Sequence, residues 1–363
     1  MKIGTLTYHR ADNYGAVLQA YALCRYLYEE GYEAENIDYW PKHHAVVYKL
    51  WCWENKYFHF QGIKGKIKYL WNFPFILSRN YRRKNNFDKF RRRTMKIVPL
   101  GADYDAVFYG SDTIWNRWNL NTFFTGFDST YWGSNTVKTR HRFSYAPSMG
   151  NVIDNEDAKN QCKKYLPLFN RISVREAPLK KKLEEWGFKN ICITVDPTML
   201  LSKHNWNLLA SQRIVEGEYV LLYNLESSEV CSNLARKIEK EKKIRVIQLT
   251  ALVSKTSSKD IYDTAGPLEF LSLFRHTSYV VTSSFHGCVF SLIFNKQFCF
   301  HSEVETERIS SLLKSCDLTE RFVTVPDTTT MYKPIDYEHV NNLVKKEVTA
   351  SKKYIEDCLK SIT

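Results

Sequence analysis

A histidine stands at position 286, where an apolar, β-branched run, Tyr279-Val280-Val281-Thr282, has just broken at Ser283-Ser284. Gly287 follows, then apolar residues at helical spacing (Val289, Phe290, Ile293, Phe294), a break at Asn295-Lys296 and a second short run, Phe298-Cys299-Phe300. The pattern predicts strand, turn, helix, strand, with His286 where the helix begins, just past the carboxyl end of a parallel strand. Ligands of open α/β sheets bind at that end. The free N–H groups and positive dipole end of a helix favour an anion there, and Gly287 lets a backbone come close to it. A side chain that titrates near neutrality beside an anion site predicts proton transfer on a phosphate or carboxylate compound. The competing reading of the same residues is a plain Ser N-cap, which stabilises a helix by about 1 kcal/mol, with His286 filling a turn.

Other strand ends carry chemistry-bearing residues in the same way. Asp105–Tyr109 runs into Gly110-Ser111-Asp112, Phe143–Ala146 into Pro147-Ser148-Met149-Gly150, Arg171–Val174 into Arg175-Glu176, and Ile191–Val195 into Asp196-Pro197. Polar residues beside Gly or Pro at strand ends build active-site rims on parallel sheets. Arg175 has the planar fork that grips a carboxylate or phosphate, and Glu176 stands ready to orient it. Asp196-Pro197 reads as a structural turn more than a site, and His9, at the first strand end, as a loop histidine. His43-His44 lacks third and fourth ligands, so neither a metal site nor a cofactor is expected.

The elements that hold these residues follow from periodicity. Strand Lys2–Thr7, the loop Tyr8–Gly15, an amphipathic helix (Val17, Leu18, Ala20, Tyr21, Leu23, Leu27), Gly31 and strand Ala34–Tyr39 make a β-α-β start. It is similar to the opening of a nucleotide-binding domain, but it has neither G-x-G-x-x-G nor a Walker lysine; Asn13 with Gly15 is a single-glycine version. A second α/β series starts at Tyr219–Tyr223 and continues through helix Val230–Lys240, strand Arg245–Leu249, helix Leu268–Arg275 and the His286 unit. The expected class is α/β. An N-terminal domain spans 1–205 with a basic, aromatic helical insertion at about 45–98, a C-terminal domain spans 206–335, and a helix over 336–363 packs back across both.

With 363 residues, 44% hydrophobic and 25% charged, the chain is large enough for two cores and is not of disordered composition. Nine scattered cysteines without a C-x-x-C pair read as reduced thiols. No secretory leader pattern and no apolar run of about 18 residues is present, so a cytoplasmic protein, at most peripheral at the inner membrane face, is expected. The formal net charge is +13, and from Gly62 to Lys96 twelve Lys or Arg face one acid, Asp88. Trp51, Trp53, Tyr57, Phe58, Phe60, Tyr69 and Trp71 precede and interleave that segment. Contact of 48–96 with an anionic membrane surface or a lipid-linked substrate and a helical hairpin with a solvated basic face both stay open. No helix-turn-helix, zinc-finger or RNA-recognition signature accompanies the charge, so no nucleic-acid partner is expected.

In order along the chain stand N-Y-G-A-V-L-Q (Asn13 to Gln19), Y-G-S-D-T-I-W-N (Tyr109 to Asn116), Y-A-P-S-M-G (Tyr145 to Gly150) and S-V-R-E (Ser173 to Glu176). V-D-P-T-M-L-L (Val195 to Leu201) and T-S-S-F-H-G-C-V-F-S-L-I-F-N-K-Q-F (Thr282 to Phe298) complete the set. With these motifs the chain resembles the polysaccharide pyruvyl transferase family, in its Ser-Phe-His-Gly branch. The resemblance implies two Rossmann-like domains facing a cleft, as in the GT-B architecture. It implies transfer of a pyruvyl group from phosphoenolpyruvate to a sugar as a cyclic ketal, with phosphate released, in a bacterium building a capsular or surface polysaccharide. Taken with the basic, aromatic segment, the resemblance points to a lipid-linked oligosaccharide as the acceptor.

Carried onto this chain, the family's essential histidine falls on His286 and its donor-binding arginine on Arg175, with Ser284 and Gly287 beside the donor. Another branch has Arg-Leu before the histidine, where Ser284-Phe285 stand here, so one donor-binding cation is absent at that spot. A later lysine of that branch falls near Arg308. On the acceptor side the expected residues are Asn13, Gly15, Asp112, which hydrogen-bonds the sugar or caps a helix, and Trp115, which stacks on it. The alternatives are a GT-B glycosyltransferase using a nucleotide sugar, against which stands the lack of an acidic pair to hold a ribose, and a non-enzymatic basic adaptor acting through 48–96.

Overall fold

The computed structural model describes residues 1–48, 62–120, 124–250, 258–303 and 307–362, without the side chains of 62–72. Its frame is two five-stranded parallel sheets with the same strand order. In the first, Ile97–Pro99, Glu33–Asp38, Lys2–Leu6, Asp103–Tyr109 and Lys138–Ser144 lie side by side. In the second the order is Ile261–Tyr262, Arg245–Leu249, Tyr219–Tyr223, Tyr279–Thr282 and Gln297–Phe300. Numbered within each half, both read 3-2-1-4-5, the order of a Rossmann-like unit, whose ligand crevice opens where the order reverses between strands 1 and 4. The central strands Tyr219–Tyr223 and Tyr279–Thr282 are almost wholly buried, as parallel strands covered by helices on both faces must be.

The helices explain how two such units become one body. Asn13 caps the first helix, Tyr14–Glu29, by accepting the Ala16 N–H at 3.2 Å. That helix is buried on nearly every side because it packs on both halves. Tyr14 stacks on Phe270 of the second half at 4.7 Å and donates its hydroxyl to the Ala265 carbonyl at 2.8 Å. A single hydrophobic cluster therefore runs from Ile3 and Leu18 to Phe270 and Phe290. The final helix, Tyr337–Lys360, crosses the same divide. Tyr337 donates to the Ser291 carbonyl in the second half, while Ser351 Oγ accepts the Val195 N–H and Tyr354 donates to the Ser144 carbonyl in the first.

The basic segment is a single described helix, Gly62–Thr94. The other arm of the expected hairpin, and with it Trp51, Trp53, Tyr57, Phe58 and Phe60, lies outside the described residues. Much of the helix's charge is spent inside the protein. Arg91, 3% exposed, donates to the carbonyls of His9, Arg10 and Ala11 and pairs with Asp12 at 2.5 Å. Arg83 donates to the Tyr14 hydroxyl and the Asp12 carbonyl, and Arg79 pairs with buried Asp263 in the second half. The helix is thus a strut whose arginines tie the first half to the second. Arg82, Lys89, Arg92 and Arg93 remain exposed on its outer side. Among the described residues no helix is long and apolar enough to cross a membrane.

Candidate active site

The second sheet's crevice carries His286. Its strand Tyr279–Thr282 ends against Tyr223, whose carbonyl accepts the Thr282 hydroxyl at 2.8 Å and the Ser283 N–H at 3.2 Å. Ser283 Oγ accepts the N–H groups of Leu225 and Glu226 and donates to Asn224, so it pins the neighbouring loop and does not cap the helix. Helix Phe285–Ile293 starts at once, with Ser284 as an N-cap whose side chain makes no capping bond. Its first N–H groups are left for something else. Gly287 is required for packing: a Cβ there would collide with the Thr282 side chain, so the helix could not sit this close to its strand.

His286 points across the divide at the first half. Its ring lies against the backbone of Gly15, where a Cβ would run into Nδ1. Its Nε2 faces Asp196 Oδ2 at 3.4 Å, an ion-pair distance too long for a good hydrogen bond, and Nε2 is buried without a hydrogen-bond partner. Asp196 is the hinge of the arrangement. One oxygen, Oδ1, accepts the Thr198 N–H at 3.0 Å and the Thr198 hydroxyl at 2.7 Å. The other, Oδ2, accepts from Arg175 Nη1 at 3.0 Å and faces His286. Burial alone would push this carboxyl up, but His286, Arg175 and Thr198 hold it well below the usual carboxylate range.

Arg175 is itself buried and donates Nε to Glu176 at 2.9 Å, which leaves Nη2 without a partner. Its guanidinium lies 4.6 Å from the Phe285 ring centre, and Arg308 reaches the same ring at 6.0 Å. Among the described residues Arg308 has no carboxylate partner, and its Nε is buried and unbonded. Burial, and then the charge of Arg175, push its pKa down; Asp112, Glu176 and Asp196 offset them only partly. Two guanidinium groups on one ring, with the local carboxylates already committed, make a place where an anion is welcome. A cleft of about 210 Å³ opens beside them, lined by Arg175, Asp196, Phe285, Arg308 and Ser311 and closed by Val344 and Glu347 of the last helix.

The expected residues thus divide. His286, Arg175 and Arg308 come together, with Ser284 and Gly287 at the helix start. Gly15 meets them as the surface on which the imidazole packs. Asp112, half-buried with φ 63°, accepts the Thr113 N–H at 2.8 Å and acts by its charge on Arg175 and Arg308. Trp115 is a correction. It is fully buried, stacked on Trp132 at 4.6 Å, and its indole N–H is given to the Tyr131 carbonyl at 3.2 Å, so its face is not offered to a sugar. The Asn13 carbonyl oxygen is likewise occupied as a helix cap. His9 is buried, with Nε2 on Asp38 and Nδ1 on the Thr7 carbonyl, a structural loop histidine as expected.

Asp196 is the residue that sequence reasoning undervalued. Asp-Pro-Thr at a strand end signals a capped turn, and the turn is there. The cap uses only one carboxylate oxygen, and the tertiary fold brings a histidine and an arginine to the other.

The family profile described as polysaccharide pyruvyl transferase matches residues 13–301, a span that contains Gly15, Asp112, Arg175, Asp196 and His286. No curated protein matches the sequence. Among solved structures, a UDP-N-acetylglucosamine 2-epimerase superposes with a TM-score of 0.51 at 10% identity, covering 99% of this chain and 95% of that one. UDP-GlcNAc 2-epimerase from Neisseria meningitidis, bound to UDP-GlcNAc, gives a TM-score of 0.49 at 10% identity, with 99% and 100% covered. The first likeness is one of fold: two Rossmann-like units about a cleft, the GT-B-like arrangement.

Proposed function

The chain belongs to the polysaccharide pyruvyl transferase family, and from that premise we propose that it transfers a pyruvyl group from phosphoenolpyruvate to two hydroxyls of a sugar, releasing phosphate. The observation that carries this reading is the pair of guanidinium groups on Phe285 beside a buried histidine that faces a carboxylate. Phosphoenolpyruvate brings two anionic groups, and the site offers Arg308, the unbonded Nη2 of Arg175 and the N–H groups at the start of helix Phe285–Ile293.

The chemistry follows from where the protons must go. One sugar hydroxyl adds to the central carbon of the donor, losing its proton, while the methylene carbon gains one and becomes methyl. The second hydroxyl then displaces phosphate at the same carbon, and its proton leaves with the phosphate. His286 moves these protons, a contribution of about 10²–10⁴-fold for a well-placed general acid–base. Asp196 stabilises the positive ring while it holds a proton and fixes its orientation. Gly15 keeps the other edge of the ring in place.

A lipid-linked acceptor at the membrane face fits the exposed Arg82, Lys89, Arg92 and Arg93 on the outer side of the strut helix. The test is phosphate release from phosphoenolpyruvate with extracted lipid-linked glycans, wild type against His286→Ala. Release by the wild type that vanishes in the folded variant supports the reading. Wild-type protein that releases none with any acceptor, yet is stabilised by a nucleotide sugar, overturns it in favour of a glycosyltransferase.

A further inference from the structure

We propose that Ser311 is a further donor-binding residue: with Arg308 it holds the phosphate of phosphoenolpyruvate, while Arg175 takes the carboxylate. That the phosphate belongs to phosphoenolpyruvate rests on the reading above. That a phosphate group binds at this pair rests on the geometry of the cleft.

One helix sets the pair. Helix Glu307–Ser315 buries Ile309 and Leu313 in the core that joins the two halves. Arg308, Ser311, Leu312 and Ser315 stand on its other face at i, i+3, i+4 and i+7, and all four line the cleft of about 210 Å³. A serine inside a helix commonly turns its hydroxyl back to a carbonyl one turn earlier. Ser310 donates in this way to Glu307 at 3.4 Å and Ser315 to Leu312 at 3.0 Å. In other helices Ser291 donates to Gly287 at 2.7 Å and Ser351 to Glu347 at 2.8 Å. Ser311 is different. It is half-buried in the wall of the cleft, and its hydroxyl has no hydrogen-bond partner among the described residues. Arg308, three residues before it, donates to no protein acceptor among those residues either, and its Nε is buried. Two neighbouring donors that face one cavity are thus both uncommitted.

Charge decides which end of the donor goes where. Arg175 lies between Glu176 at 2.9 Å and Asp196 at 3.0 Å, so two carboxylates already face its one positive charge. It has Nη2 left to give, which suits a singly charged carboxylate. Arg308 has no such partners. Glu347, on the outer wall of the cleft, is exposed and makes no ion pair with it among the described residues. A group with two negative charges therefore gains most beside Arg308. A phosphate monoester also has three terminal oxygens, which accept from the guanidinium fork and the Ser311 hydroxyl together. A carboxylate would occupy the fork and leave the serine idle.

The Phe285 ring, which both guanidinium groups approach, also lines the cleft. It offers an apolar floor to the short carbon skeleton that joins the donor's two anionic groups. After transfer, inorganic phosphate keeps the same two donors, Arg308 and Ser311. It should therefore compete with the donor, and through the same residues.

The experiment titrates inorganic phosphate and phosphoenolpyruvate calorimetrically into the full-length wild type, Ser311→Ala, Ser311→Thr and Arg175→Lys. Ser311→Ala should weaken both ligands about tenfold, the loss of one hydrogen bond to a charged group, and Ser311→Thr, which keeps the hydroxyl, should recover most of it. Ser311→Ala should melt no lower than wild type, since alanine is the better helix former. In turnover it should raise donor KM and the inhibition constant of phosphate together, with kcat within about threefold of wild type. Arg175→Lys should weaken phosphoenolpyruvate and leave inorganic phosphate nearly unchanged. The proposal is overturned if Ser311→Ala binds both ligands as the wild type does, or if its loss comes with a lower melting temperature and is not recovered by threonine. It is overturned too if Arg175→Lys, and not Ser311→Ala, loses inorganic phosphate, which would reverse the two ends of the donor. Phosphoenolpyruvate binding that ignores Ser311 removes the subsite and leaves the reaction standing. Phosphate binding that depends on Ser311, in a protein that does not bind phosphoenolpyruvate, keeps the subsite and removes the donor.

Discussion

The two sheets share one strand order, yet the crevices between their first and fourth strands are opposites. In the first half the crevice is closed by its own hydrogen bonds. Gln19 donates to Thr7 Oγ1 at 2.8 Å, Thr7 Oγ1 donates to the Ser111 carbonyl at 3.0 Å, and the Ser111 N–H returns to Gln19 Oε1 at 3.2 Å. Ser111 Oγ gives its proton to the Ala146 carbonyl. At the second crevice His286 Nε2 and Arg308 Nε of the second half, and Arg175 Nη2 reaching in from the first, are buried without hydrogen-bond partners. Native interiors rarely leave such groups unpaired without a reason. Topology therefore nominates two ligand crevices, and the satisfaction of polar groups decides which one is open.

The largest effect that would break this contrast is at His286. His286→Ala should lower the turnover of phosphate release by about 10²–10⁴-fold while the melting temperature stays near that of the wild type, because the lost ring lies at the crevice and not in a sheet core. A loss of folding in place of activity would make the histidine a packing residue. Gly15→Ala approaches the same ring from the other half. The added methyl collides with Nδ1 and must displace the imidazole from Asp196, so turnover should fall at least tenfold, with donor KM less affected. Unchanged turnover would show that the ring position does not matter.

At Arg308 the effect is on binding. Arg308→Ala removes the guanidinium that has no carboxylate partner among the described residues, and donor KM should rise by one to two orders of magnitude, the worth of about 1.5–3 kcal/mol for a charged hydrogen bond. Arg308→Lys should recover part of it. The mirror experiment is in the first half. Gln19→Leu breaks the closed network, and leaving Ser111 and Thr7 unsatisfied should cost about 1–3 kcal/mol of stability in chemical denaturation, with turnover per folded molecule unchanged. If turnover fell as well, the first crevice would belong to the site.

What the sequence disclosed, and what it hid, divides along the same physical line. Strands Tyr219–Tyr223 and Arg245–Leu249 and the strand–turn–helix around His286 were legible because short β-branched runs and helical spacing are local properties. Arg175 and His286 were legible because they stand at strand ends. The fate of Trp115 was not, since nothing local distinguishes a ring stacked on Trp132 from one offered to a ligand. The second use of Asp196 was hidden for a related reason: its turn is written in three consecutive residues, but its partners Arg175 and His286 lie 21 and 90 positions away. The basic helix was legible in its charge but not in where that charge goes. Its charge count is local, while the carbonyls and carboxylates that absorb Arg79, Arg83 and Arg91 come from distant loops.

The smallest effect separates the two regions by pH. Asp196 has a folded-state pKa below its unfolded value of about 3.9. On acidification the unfolded chain binds that proton first, so the stability Asp196 contributes is complete above about pH 4 and is lost below it. His44 is pushed down to about 3 from an unfolded value near 6.5. The unfolded chain again binds the proton first, but over a higher window, and the contribution drains away as pH falls from 6.5 towards 3. Denaturation midpoints measured from pH 7 to pH 3 should therefore fall in two overlapping stages. His44→Phe should flatten the upper stage and leave the lower one, while Asp196→Asn should flatten the lower stage whatever its absolute cost in stability. A His44→Phe curve parallel to wild type between pH 6 and 4.5 would mean that the imidazole is already charged or solvated there.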